Sequence, residues 1–469
     1  MVNALSGSTV PLTAVNSVIV VGGGLAGLRT GQSLRSLGFT GKIVLVSLEA
    51  HAPYDRPPLS KKILVNEAPV DLATDFSADL ESIFDEFLHL HRAVALSESA
   101  QGITVKLEPV TSPQHFEGAD LAPATFDVSA DVVVLALGAQ PVMPSHWNGI
   151  HTLYSWEDTE KLRAHLHMPP CEDGKTTDLL IIGSGWVGTE IAGIAQDQGL
   201  KVSVVEAEST PLLRQVGEKV GARIAQWFAQ SGVDLHTNSY VTSVGIQGPD
   251  VVVTGTGSSG AGSHGSSDWV TKSKLVLSAV GVQPSTSWLP SHFARTAQGA
   301  LLTDEWGHVL IESPRQMASS RVFSVGDSAQ RADPIHGHVS GGHWNLALTD
   351  PERIALAITS IGGPTPIPPA TPTPYVFSTQ FGHEIALFGI PQPANDDVIF
   401  RDYPDGGWTA LYVKQVQEQH DSVKVTGIFT CDAPRDAATA RKILRDGEIP
   451  VNNPNLLSQV EIPLKRALL

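Results

Sequence analysis

The chain has 469 residues, enough for about three domains at roughly 150 residues each, and its 42% hydrophobic content excludes disorder over most of its length. A formal net charge of −17 disfavours nucleic acid and anionic membrane as partners. Two cysteines, Cys171 and Cys431, supply neither a disulfide framework nor a CxxC pair, so no redox dithiol, zinc ribbon or other metal site is expected.

No opening segment joins basic residues to an apolar run, and no stretch approaches the ~18 apolar residues of a membrane span. A soluble, cytoplasmic protein is expected. In chain order, the first clear element is a strand at 18–21, all β-branched, followed by Gly22, Gly24 and Gly27 and by a helical pattern carrying Leu25, Leu28, Leu34 and Leu37. Such dense apolar runs suit strands covered on both faces of a parallel sheet. GxGxxG alone is weak, but between strand and helix it has a physical purpose. The first glycine makes the tight turn, the second lets backbone approach a pyrophosphate, and the third lets helix and strand pack closely. The phosphates then meet the helix N-terminus. The next strand, 42–46, should lead to an acid that binds a ribose; Glu49 stands 22 residues past Gly27, and Leu48 occupies the alternative place.

An apolar run at 132–137 ends at Gly138. At 179–182 the strand–turn–helix scheme repeats with Gly183, Gly185 and Gly188, and with Val187, Ile191, Ile194 and Ala195 as the apolar stripe. Strand 202–205 ends at Glu206, 18 residues past Gly188. An acid there accepts from a ribose hydroxyl and repels a 2′-phosphate. Glu208 adds negative charge and no basic residue follows before Arg214, so NADH is favoured over NADPH. Residues 255–267 are Gly/Ser-rich and read as a flexible surface loop. Two further GxGxxG matches inside it, at Gly255, Gly257, Gly260 and at Gly260, Gly262, Gly265, precede no apolar helix and are rejected. A run at 275–280 ends at Gly281, and one at 322–325 enters Gly326 and Asp327. Residues 362–374 are Pro-rich and read as an extended linker. Beyond them, alternating runs at 384–389, 408–413 and 423–429 suggest antiparallel strands, with a final helix at 436–445. The fold class is α/β: two dinucleotide-binding units and a C-terminal α+β domain.

The run PYDRPPLSK at 53–61 resembles the oxygenase-type ferredoxin reductases and rubredoxin reductases, a branch of the FAD-dependent pyridine nucleotide oxidoreductases. The likeness extends through ALGA at 136–139, VGTE at 187–190, VFSVGDSA at 322–329, HWNLA at 343–347 and PRDAATARKIL at 434–444. It implies two Rossmann-like domains: a discontinuous FAD domain over 15–150 and 296–362, and an inserted NAD domain over 151–295. An interface domain over 375–469 follows the linker at 363–374. It implies that an electron pair passes from NADH to FAD as hydride, then singly to a small iron–sulfur protein, a ferredoxin or rubredoxin, in service of an oxygenase or P450. The first glycine motif would hold FAD, with Glu49, Arg56, Lys61, Ala93, Gly138, Asp327 and Trp344. The second would hold NAD, with Glu190, Glu206 and Gly281. Arg56 and Lys61 would be flavin-side cations, with Lys61 paired to Glu190. Ala93 would offer backbone to the adenine, Asp327 would bind the ribityl chain, and Trp344 would stand at the flavin edge. Plainer readings stay open: Asp327 as an N-cap for the helix or turn that follows, Trp344 as core, and both members of the ion pair as solvated groups.

The sequence departs from the family pattern at Leu48, Val142, Gly342, Phe377 and Thr379, around the expected flavin and partner faces. A chain this acidic needs a local positive face to dock an acidic carrier. Arg435, Arg441, Lys442 and Arg445 on the last helix are the candidates, against the bland reading of a solvated face. Two other functions share the cofactor residues: an NADH diaphorase or oxidase using quinone or oxygen, and a redox-sensing flavoprotein of the apoptosis-inducing-factor kind. The sequence is compatible with a monomer or a homodimer.

Overall fold

The computed structural model describes residues 14–61, 64, 72–110, 124–171, 176–257, 267–313, 317–416 and 422–469. The chain forms two compact units: Met1–Asp55, Val70–Gln140 and Gln283–Pro372 in one, Arg56–Pro69, Pro141–Val282 and Thr373–Leu469 in the other.

In the first unit, five parallel strands are aligned in the order Glu86–Leu88, Lys42–Val46, Ser17–Val21, Val132–Leu135 and Ala318–Ser324. Four short strands, His308–Leu310, Leu301–Thr303, Ala329–Asp333 and Gly337–Ser340, extend the sheet to nine. The period of two explains why the central strands are apolar throughout. Val18 and Val20 face the helices Leu25–Ser36 and Trp344–Thr359, where they pack with Leu28, Leu34, Ile354 and Ile358. Ile19 and Val21 face a three-stranded antiparallel sheet and pack with Ile103, Val105 and Leu107. The leucine stripe is shorter than expected. Leu37 is the C-cap of its helix and is exposed, so the buried face stops at Leu34.

The Pro-rich stretch has no helix or strand before Tyr375, as an extended segment should, but it is anchored. Arg353 donates to the Pro369 carbonyl at 2.6 Å, and Thr371 donates to Asp333 at 2.5 Å. Arg331 bridges Asp333 (2.9 Å) and Asp350 (3.0 Å), joining the strand Ala329–Asp333 to the helix. Burial pushes the Asp333 carboxyl up. Hydrogen bonds from Thr371, the His336 N–H, Arg331 and the Ile335 N–H outweigh it and hold the pKa at about 2. A carboxylate with a depressed folded pKa stabilises above its unfolded value and loses that contribution as pH falls. Asp333 should therefore contribute on the order of 2 kcal/mol above pH ~4, lost progressively towards pH ~2. Acid unfolding of Asp333→Asn against the parent checks this: the variant should be less stable near neutrality and lose less on acidification.

In the second unit, Asp234–His236, Val202–Val205, Thr177–Ile182 and Ser267–Ser278 run parallel. Ser267–Ser278 then pairs antiparallel with Asp250–Gly257, and that strand with Ser239–Gln247. The expected surface loop is therefore strand at both ends, while 258–266 lies outside the described residues. Glycine at 255 serves packing: a Cβ there would stand 2.2 Å from the Trp269 ring. The helix Trp186–Asp197 buries Ile191 and Ala195, but Val187 is exposed at its first turn.

The C-terminal strands are antiparallel, in the order Tyr375–Gln380, His383–Gly389, Val423–Cys431, Trp408–Gln415 and Asp397–Asp402, with Ile449–Val451 alongside Val423–Cys431. One face shares a core with the parallel sheet: Trp408, Ala410, Tyr412 and Phe429 pack with Ile191, Val216, Val220 and Phe228. The Tyr412 hydroxyl donates to the Val216 carbonyl at 2.7 Å. The helix Pro434–Ile443 covers the other face and gives way to a 3-10 turn, Leu444–Asp446. It is not the last helix, since Leu464–Leu468 follows. No helix among the described residues is long and apolar enough to cross a membrane.

Candidate functional site

Each unit carries one glycine turn, and the two are built alike. Gly22 (φ +123°) and Gly183 (φ +99°) occupy backbone conformations that side chains rarely adopt, and a Cβ would meet the carbonyl oxygens of Ala136 at 2.0 Å and Ala279 at 2.5 Å. A Cβ at Gly27 would lie 1.9 Å from the Gly22 carbonyl oxygen, and one at Gly188 lies 2.1 Å from that of Gly183. Among the described residues, a Cβ at Gly24 or Gly185 would meet nothing within 4 Å. Each of these middle glycines is the N-cap of its helix, and no side chain caps it. Two helix N-termini thus keep backbone N–H groups and the positive dipole end clear for an anion. The two turns fit dinucleotide pyrophosphates.

Around the first turn, Leu48 points to solvent and Glu49 accepts from the Tyr54 hydroxyl. Ala93 is buried in the strand His91–Ser99. Gly138 (φ +63°) turns the chain after Val132–Leu135. Asp327 lies in the 3-10 turn Gly326–Ser328, and its Oδ1 accepts from the Gly342 N–H at 2.7 Å. It does not cap the helix that follows, whose N-cap is His343. The Trp344 indole N–H donates to Asp55 Oδ1 at 2.9 Å, so Trp344 is a partly buried side chain fixed at its polar tip.

In the second unit, Lys61 and Glu190 meet: Nζ is 2.9 Å from Oε1. Glu190 is 4% exposed, one turn into its helix. Its carboxylate also accepts from the hydroxyls of Ser60 and Ser378. The Lys61 ammonium donates to the Pro57 carbonyl at 3.2 Å and stands 5.8 Å from the Phe377 ring centroid. This is how a buried carboxylate stays charged: a counter-ion and hydroxyl donors replace water. Ser60 and Ser378 were missed. Ser60 sits in the recognised PYDRPPLSK run, and Ser378 lies between the departures Phe377 and Thr379, in a strand 188 residues from Glu190. Arg56 donates to the Tyr154 carbonyl at 2.6 Å and stacks on that ring at 4.5 Å.

Glu206 ends the second strand of this sheet and turns back onto the glycine loop. Its Oε2 accepts from both the N–H and the hydroxyl of Ser184 at 2.7 Å, and Oε1 accepts from the Glu208 N–H at 2.9 Å. Arg214, the first cation after it, is held by Glu208 at 2.7 Å. Gly281 (φ +106°) accepts from the Val142 N–H at 3.0 Å. Thr379 donates to Glu384 at 2.9 Å.

Arg435, Arg441, Lys442 and Arg445 are all exposed. The expected one-face spacing of Arg441 and Arg445 does not hold, because the α-helix ends at Ile443 and Arg445 lies in the 3-10 turn beside Asp446. Arg441 stacks on Tyr375 at 4.6 Å.

Residues 16–355 match the family model of the pyridine nucleotide-disulphide oxidoreductases. The ferredoxin–NAD(+) reductase subunit of a benzene 1,2-dioxygenase system from Pseudomonas putida is 26% identical over 438 residues, covering 92% of each chain. Apoptosis-inducing factor 3 from Homo sapiens is 25% identical over 407 residues, 85% of this chain and 59% of that protein. The crystal structure of Fdr9 is similar at 27% identity with a TM-score of 0.70, covering 92% of this chain and 95% of that one. With both nucleotide turns in view, the chain belongs to the pyridine nucleotide-disulphide oxidoreductase family and is an FAD-dependent oxidoreductase that uses a pyridine nucleotide.

Proposed function

We propose that this protein is an NADH-dependent reductase of a small iron–sulfur protein, a ferredoxin or rubredoxin. The observation that carries the reading is the pair of uncapped helix N-termini behind open glycine turns, one of them closed by Glu206. The likeness to a ferredoxin–NAD(+) reductase subunit over nearly the whole chain supports the partner class. FAD, when bound, supplies the conversion of a two-electron donation into single-electron steps.

In this reading 15–150 with 296–362 form the FAD domain, 151–295 the NAD domain and 375–469 the interface domain, with 363–374 between. Gly22, Gly24 and Gly27 hold the FAD pyrophosphate, Glu49 its ribose and Ala93 its adenine. Gly138, Asp327 and Trp344 hold the rest of FAD with Arg56 and Lys61. Lys61, fixed by Glu190, keeps a positive charge where negative charge develops on reduction. Gly183, Gly185 and Gly188 hold the NADH pyrophosphate, Gly281 lines that site, and Glu206 accepts from the adenosine ribose.

Glu206 makes the reading testable. A 2′-phosphate would meet both its charge and that of Glu208. Glu206→Ala should lower kcat/KM for NADH about tenfold, from the loss of a charge-assisted hydrogen bond, and narrow the preference over NADPH. Steady-state kinetics with both nucleotides check it; an unchanged ratio contradicts the role.

For the carrier, the exposed cations Arg435, Arg441, Lys442 and Arg445 are the proposed docking surface. Charge reversal at Arg441 and Arg445 together should cut kcat/KM for ferredoxin by about tenfold or more at low salt, less at high salt, and leave NADH-to-ferricyanide turnover intact. Unchanged ferredoxin kinetics remove this surface from the account. The likeness to apoptosis-inducing factor 3 favours a second reading, a redox-sensing flavoprotein. Slow turnover with every carrier, together with a redox-dependent change of oligomeric state, would select it.

A further inference from the structure

The strands His383–Gly389 and Val423–Cys431 run antiparallel with Ile385 opposite Cys431. At their shared end, three potential ligands of different chemistry converge. A ring nitrogen of His383, Cys431 Sγ and an Asp432 carboxylate oxygen all lie within 4.8 Å of one another. Nδ1 to Oδ2 is 2.6 Å, and Sγ to Oδ2 is 3.8 Å. Asp432 reaches this position through a left-handed backbone (φ +49°), a conformation that aspartate adopts more readily than most side-chain-bearing residues. Its other oxygen is fixed by the Glu384 N–H at 2.9 Å. The imidazole plane is fixed as well, stacked on Trp227 with centroids 4.5 Å apart. The thiol is buried, while His383 and Asp432 stay open to solvent on about a third of their side chains.

We propose that His383, Cys431 and Asp432 bind one divalent transition-metal cation of the zinc type, with water as the fourth ligand. Thiolate, imidazole and carboxylate together suit a borderline-soft tetrahedral ion, and they exclude magnesium and calcium, which require oxygen donors. Zinc bonds of about 2.0–2.3 Å require the three atoms to draw around a common centre, a side-chain adjustment on the open side of the site. Arg223, whose charge reaches Cys431, does not oppose this as a free charge, because Asp402 takes both ends of its guanidinium. On binding, the thiol proton leaves to solvent, the His383 proton resides on Nε2, and no electrons move. Binding therefore weakens as pH falls. The ion would fasten the ends of two strands, and the next strand in the sheet carries Ser378 against Glu190. The site stands independently of the electron acceptor.

The test is equilibrium dialysis of the flavin-loaded protein against zinc chloride at neutral pH, with a parallel cadmium titration read by ultraviolet thiolate-to-metal absorption. The parent should take up one zinc per chain and develop the cadmium band. His383→Gln and Asp432→Asn, changes at part-exposed side chains, should each weaken uptake about tenfold or more, and Cys431→Ala should abolish the band. A change in Trp227 emission, measured against Trp227→Phe, should track zinc occupancy, and emission unchanged at full occupancy would place the ion away from His383. Absence of saturable uptake, uptake without a thiolate band, or affinities unchanged in His383→Gln and Asp432→Asn would each overturn the proposal.

Discussion

Replacing Gly27 with alanine should destabilise the protein by about 3 kcal/mol or more and prevent FAD retention, whereas Gly24→Ala should leave the fold intact and release FAD readily. The two positions are three residues apart in one turn, yet their surroundings are opposite. At Gly27 the added methyl falls 1.9 Å from the Gly22 carbonyl oxygen, a backbone atom that cannot swing aside. The helix Leu25–Ser36 must then lift from Ser17–Val21, and Leu28 and Leu34 lose their packing against Val18 and Val20. At Gly24 the methyl meets nothing within 4 Å among the described residues, so folding should be indifferent to it. It fills the space the pyrophosphate needs, and an affinity loss on the order of a hundredfold is expected. Thermal unfolding and the flavin content of purified protein separate the two. Equal stability loss in both variants would contradict the assignment of separate duties within the turn.

Lys61→Met should cost about 3 kcal/mol, because it strands a buried carboxylate. Among the described residues, Glu190 would keep the hydroxyls of Ser60 and Ser378 as donors. Glu190→Gln should cost less, since an amide needs no counter-ion, and Lys61→Met combined with Glu190→Leu should recover part of the loss. The difference between the double variant and the sum of the singles measures the pair directly. In the proposed reductase the same Lys61→Met change should also slow reduction of the flavin by NADH, because the positive charge near the reacting ring is gone. Additive stability effects would mean that the 2.9 Å contact contributes nothing of its own.

Much of this was legible in the sequence, and the physical reason is local. Strands at 18–21, 42–46 and 202–205 are buried on both faces, so their boundaries stand out as β-branched runs, and the structure has them at Ser17–Val21, Lys42–Val46 and Val202–Val205. The glycines of both turns obey contacts within a few residues or across one strand. Leu37 and Val187 were misread because periodicity does not say where a helix stops or how much of its first turn is covered. The Pro-rich stretch is extended as its composition implies, but its anchors to Asp333 and Arg353 were not legible, because both partners are buried side chains outside the stretch. Ser378 and the His383–Cys431–Asp432 cluster were invisible for the same reason: each depends on strands brought together by tertiary packing, and neither leaves a spacing to read.

The most direct measurement of the central claim is an anaerobic titration of the purified protein with NADH and, separately, NADPH, following the flavin absorption band. The account predicts a bound flavin that NADH bleaches rapidly and stoichiometrically and that NADPH bleaches slowly. A protein without flavin, a flavin that NADH does not reduce, or equal rates with the two nucleotides would contradict it.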